Sequence, residues 1–118
     1  MAESFALMKI EQRTVGEVAV LDLDGRLVAE DGFEPLRQAL NRLIADGRTN
    51  VLLNMDRLTY LDSAGIGLIA CKYVTLSRHN GRLKLCNLHL RSFEVLNVTK
   101  LLTVFEAFDS EEDALKSF

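Results

Sequence analysis

Residues 50–78 impose the strongest constraint on the fold: a strand-length apolar run, NVLLNM, precedes helical periodicity that begins at Ser63. A run this apolar is buried on both faces, which is the condition of a central strand. Apolar residues at Ile66, Ile69, Ala70, Tyr73 and Leu76 then recur at helical spacing and mark one inner face. Asn80-Gly81 supplies a left-handed stop. A central strand that feeds a helix and then another strand returns to its sheet by a crossover, so the chain reads as α/β.

The flanking segments extend this pattern. ALMKIEQR and VAVLDLDG alternate apolar and polar residues around TVGE, which predicts two antiparallel strands and a turn. Apolar positions Phe33, Leu36, Leu40, Leu43 and Ile44 form a helical stripe that stops near Gly47, and Pro35, the only proline, fits the first turn. RLKLC is a further strand, LRSFEVLNV a helix, and TVFEAF the start of a last strand. Ser110 followed by Asp113 forms a capping box for SEEDALKSF. The expected order is β-β-α-β-α-β-α-β-α, a mixed sheet opened by a β-hairpin, with residues 1–118 as a single domain. No internal repeat or low-complexity tract interrupts it.

Charge and composition remove several function classes. With 14 Lys+Arg against 17 Asp+Glu, the net charge of -3 argues against broad binding of nucleic acid or an anionic membrane, which needs a basic face, and leaves only a local basic patch open. No apolar run approaches the roughly 18 residues of a membrane span, and the N-terminus has neither a basic n-region nor an apolar h-region. A cytoplasmic location is expected. Cys71 and Cys86 read as reduced core thiols. His79 and His89 sit near element ends with no ligand at metal spacing, so no metal or cofactor is expected.

Candidate chemistry concentrates in LTYLDSAGIGLIA. Asp62-Ser63 lies beyond the carboxyl end of a strand, where sheets of this class meet ligands and partners, and Gly25 to Gly32 is placed at the same end. Gly65-Ile66-Gly67-Leu68-Ile69-Ala70 satisfies G-x-G-x-x-A, yet the next strand ends at Cys86-Asn87 instead of the ribose-binding acid. A P-loop fails because no Gly-Lys-Ser/Thr follows the glycines. A nucleophile elbow fails because Leu61 stands where glycine is needed and only His89 could serve as a base. Asp62 is a natural helix cap. A cap does not account for two glycines in the first turns, each costing about 1 kcal/mol relative to alanine. A low-profile surface beside a presented hydroxyl suits protein docking.

These residues carry a family resemblance. LTYLDSAGIGLI resembles the D-S-[SA]-G-[LI]-G segment of anti-sigma-factor antagonists built on a STAS domain. VAVLDLDGRL, RLKLCNL, FEVLNVTKLLTVFEAF and SEEDAL follow in the order that family shows. The resemblance implies a STAS-like fold and a partner switch. The unphosphorylated antagonist would bind an anti-sigma factor, a serine kinase with an ATP-binding fold, and release a sigma factor. Phosphorylation of Ser63 would end that complex, and a phosphatase would reverse it. Carried onto this chain, the resemblance assigns partner contacts to Asp62, Ser63, Ala64, Gly65, Ile66 and Gly67. A second patch comprises Gly25, Arg26, Leu27, Val28 and Glu30, and no residue is catalytic.

The chain departs from that pattern in two places. Gly25-Arg26-Leu27-Val28 stands where the family often reads G-E-L-D, which removes an acid and adds a base. His89-Leu90 and Thr99-Lys100 replace the proline and glycine frequent around the third helix. Two other functions remain open to such a chain: a scaffold subunit in a lipid-transport or stress-sensing assembly, with no phospho-switch, and a small nucleotide-binding protein.

Overall fold

The computed structural model describes residues 8–29, 31–88 and 105–118. Strands β1 (Lys9–Val15) and β2 (Val18–Leu27) form the expected hairpin, with Gly16 at φ 61° in its turn. Helix α1 (Phe33–Ala45) follows and buries Leu36, Ala39, Leu40 and Leu43. Its first turn abuts Gly32, which takes φ 88° and lies so close to the Arg26 carbonyl that a side chain has no room. Gly47, at φ 75°, ends the helix as expected.

Strand β3 (Asn50–Leu61) is twice the length that NVLLNM predicts. Its pairing with β2 is parallel and shifts register twice, from Asp22↔Asn54 to Asp24↔Arg57 and from Gly25↔Leu58 to Arg26↔Tyr60. Each shift adds a residue to β3, as bulges do. The buried positions beyond Asn54 are Met55, Leu58 and Leu61, spaced by three. Helix α2 (Ser63–Arg78) starts directly afterwards and turns Ile66, Ile69 and Leu76 inward. Asn80 takes the left-handed φ of 62° at its end, while Gly81 is bare for another reason: its Cα rests against the Thr49 carbonyl.

Strand β4 (Arg82–Cys86) pairs parallel to β3, and β5 (Glu106–Phe108) pairs parallel to β4, giving the order β1-β2-β3-β4-β5. The predicted helix LRSFEVLNV and the first residues of TVFEAF lie outside the described residues. Helix α3 (Glu111–Lys116) closes the chain, with the Ser110 hydroxyl accepting from the Asp113 N-H at 3.1 Å.

Inward residues of β2, β3 and β4 meet α1 and α2 on one face of the sheet. On the other face Val18, Val20, Leu52 and Cys86 meet Ala114 of α3. Lys84 is buried there, donating to the Ser117 carbonyl at 2.7 Å and hydroxyl at 2.8 Å beneath the Phe118 ring. The same face carries a polar ladder. Asn87 donates to Asn54, Asn54 to Asp22, and Arg13 to both Asp22 and Glu111 of α3.

Candidate functional site

Leu27 and Leu61 are paired at the carboxyl ends of β2 and β3, so the segment after β2 and the start of α2 lie side by side. Parallel pairing alone dictates this meeting. It places Val28, Ala29, Asp31 and Gly32 at the end occupied by Asp62-Ser63, while Gly25, Arg26 and Leu27 are the last residues of β2 itself. The Asp62 N-H donates to the Leu27 carbonyl at 3.3 Å. Val28 and Asp31 exchange two backbone hydrogen bonds, which folds the segment back on itself.

Asp62 caps α2 through Oδ1, which accepts from the Gly65 N-H at 2.9 Å. Its other oxygen, Oδ2, accepts from the Ala29 N-H at 3.2 Å. Ser63, the first residue of α2, is exposed. A hydroxyl at this position faces a helix end that carries partial positive charge and favours an added anion.

The predicted contact residues divide into two groups. Arg26, Ser63 and Gly67 are exposed and Gly25, Asp62 and Ala64 partly so, which leaves them able to meet another molecule. Leu27, Val28, Gly65 and Ile66 are buried, so the side chains of Leu27, Val28 and Ile66 shape the surface from beneath. Glu30 and His89 lie outside the described residues. The low profile expected of Gly65 is corrected here. A Cβ on Gly65 would stand 2.5 Å from the Leu27 carbonyl oxygen and 2.8 Å from side-chain carbons of Leu27 and Leu61. Its bareness lets the helix sit on the strand end. Gly67, where a Cβ meets nothing within 4 Å, is the glycine that lowers the outer profile.

Charge at the site is tethered. Arg26 Nε lies 3.5 Å from Asp31 Oδ2, and the buried Asp31 also accepts from the Met8 N-H at 3.1 Å. Asp31 and the Ala29 amide escaped the sequence reading, since neither belongs to a motif and their roles depend on how the loop folds. The exposed residues of α2 continue from Ser63 and Gly67 to Cys71 and Val74. Cys71 therefore differs from the core thiol expected, because a helical step of four from Gly67 carries it to solvent. Cys86 is buried as expected, and burial pushes its thiol up to about 12. Among the described residues no cluster of metal-ligating side chains occurs, and no helix is long and apolar enough to cross a membrane.

The family profile described as the STAS domain matches residues 9–114. The chain belongs to the STAS domain family. This STAS protein is 28% identical over 111 residues to BtrV of Bordetella bronchiseptica, described as a candidate anti-sigma factor antagonist, with 94% of this chain and 95% of BtrV covered. Its fold superposes on the unphosphorylated anti-sigma factor antagonist SpoIIAA with a TM-score of 0.78 at 25% identity, covering 92% of this chain and 95% of SpoIIAA. Bacillus SpoIIAA in its phosphorylated form gives a TM-score of 0.71 at 26% identity, with 93% and 97% covered. The murine anion transporter Slc26a9 shares the fold, with a TM-score of 0.73 at 20% identity over 87% of this chain and 18% of the transporter. The STAS fold and the relationship to anti-sigma factor antagonists thus agree with the resemblance read in LTYLDSAGIGLI.

Proposed function

We propose that this STAS protein is a cytoplasmic, non-enzymatic anti-sigma factor antagonist whose partner is an anti-sigma factor with a serine-kinase, ATP-binding fold, and that phosphorylation of Ser63 ends the complex. The observation that carries this reading is the exposed hydroxyl of Ser63 at the first position of α2, beside the segment that follows β2. Kinship with SpoIIAA, whose structure exists in unphosphorylated and phosphorylated forms, supports it.

The physics of the switch lies in the difference between a free and a covered surface. A phosphate brings about two negative charges and three acceptor oxygens. In the free protein it meets water and the positive end of α2, both of which tolerate it. Within an interface fitted to a neutral hydroxyl, it meets repulsion and desolvation that the complex cannot offset. A phosphatase would restore the binding form.

Affinity capture from extract of the source organism, with wild type and Ser63→Asp as baits, tests the reading. The expected result is an ATP-binding-fold kinase retained by wild type, lost with the variant, and able to phosphorylate Ser63 but not Ser63→Ala. Label that persists in Ser63→Ala would overturn the assignment. A non-kinase partner held equally by both baits would instead establish a scaffold without a phospho-switch.

A further inference from the structure

We propose that Asp62 is a positioning residue: its second carboxylate oxygen fixes the segment Arg26 to Ala29 against the Ser63 end of α2, so the two patches present one surface. The proposal rests on the reading of Ser63 given above and assigns Asp62 a task beyond capping.

Capping needs one acceptor, and serine, threonine or asparagine supplies it as well as aspartate does. Asp62 uses two, Oδ1 for Gly65 at 2.9 Å and Oδ2 for Ala29 at 3.2 Å. An ionised carboxylate, which has only acceptors, is the side chain suited to two converging N-H groups at this reach. Ala29 is exposed, so its amide would otherwise face water. The same junction is closed from below, where the Asp62 N-H donates to Leu27 and Gly65 lies against the Leu27 carbonyl. Asp62 thus clasps the end of β2 through backbone groups on both sides of Val28. Its neighbour in sequence is Ser63, so a partner that docks on Arg26 finds the hydroxyl at a fixed offset.

Amide hydrogen exchange on the unphosphorylated full chain tests the clasp without any partner. Asp62→Asn and Asp62→Ser remain competent caps but lack the second acceptor. In both, exchange at Ala29 should rise about tenfold while Gly65 keeps its protection. The kinase recovered by capture should then phosphorylate Ser63 with a higher KM and nearly unchanged kcat, because docking is weakened and chemistry is not. Unchanged exchange at Ala29, a parallel rise at Gly65, or an unchanged KM would each overturn the proposal. If wild-type Ser63 takes no phosphate, the functional reading falls, and the exchange result still decides the clasp.

Discussion

Gly65 and Gly67 are two residues apart and answer to opposite constraints. A methyl group on Gly65 collides with the Leu27 carbonyl and with side-chain carbons of Leu27 and Leu61, whereas one on Gly67 enters open space. Gly65→Ala should therefore destabilise the protein by about 1–3 kcal/mol, the usual cost of overpacking. Gly67→Ala should stabilise it by up to about 1 kcal/mol, since a helical glycine with free surroundings carries only its backbone entropy cost. Urea denaturation of both variants checks the pair, and equal shifts of one sign would contradict it. Gly67→Leu should keep the fold yet weaken kinase capture, because its added bulk lies four residues from Ser63 on the exposed side of α2. The sequence makes the capped start of α2 and the exposed serine legible, since both follow from local spacing. Which glycine faces inward depends on where the end of β2 lies, a tertiary fact no local pattern carries.

At the level of elements, the polar ladder joins β1 and β2 to α3 through Arg13. The Arg13 guanidinium donates to Asp22 at 2.6 Å and holds that carboxyl below its ordinary value near 3.8. A carboxyl depressed in the folded state contributes stability above its unfolded pKa and loses it as pH falls through the lower folded value. Both partners are partly exposed, so the contribution is about 0.5–1 kcal/mol after solvent screening. Asp22→Asn should therefore be less stable than wild type by that amount at pH 7, with the gap closing as pH falls below the ordinary carboxylate range and through the lower folded value. Thermal melts of both proteins across that range measure it, and a gap that widens in acid would refute the assignment. Strand β3 shows why elements are only partly legible. NVLLNM reveals itself by unbroken apolar character, but two bulges then change the buried spacing from two to three, and DRLTYL ceases to resemble a strand. The hairpin, α1 and α2 keep regular periods, so their patterns survive intact in the sequence.

For the molecule as a whole, the question is whether phosphorylation acts on the surface or on the fold. At the start of α2 a phosphate gains roughly 0.3–1 kcal/mol from the helix end. Repulsion from the Asp62 carboxylate across a wet surface opposes this by a similar amount. Ser63-phosphorylated protein should thus differ from unmodified protein by no more than about 1 kcal/mol, a few degrees in Tm. Kinase affinity should fall at least about a hundredfold, as a charge buried without a partner requires. Melting curves and affinities at fixed nucleotide and salt distinguish the two effects. A loss of stability that tracks the loss of binding would mean that the switch works by unfolding. The glycine contacts described above also bear on how such proteins diversify. Gly65 and Gly81 lie against the backbone of Leu27 in β2 and of Thr49 just before β3, and change there disturbs the framework. Gly67, Cys71 and Val74 face outward on α2 with Ser63 and take no part in the core. Duplicated copies in one genome could thus drift apart in whom they recognise while folding alike, which gives a cell many insulated circuits from one scaffold.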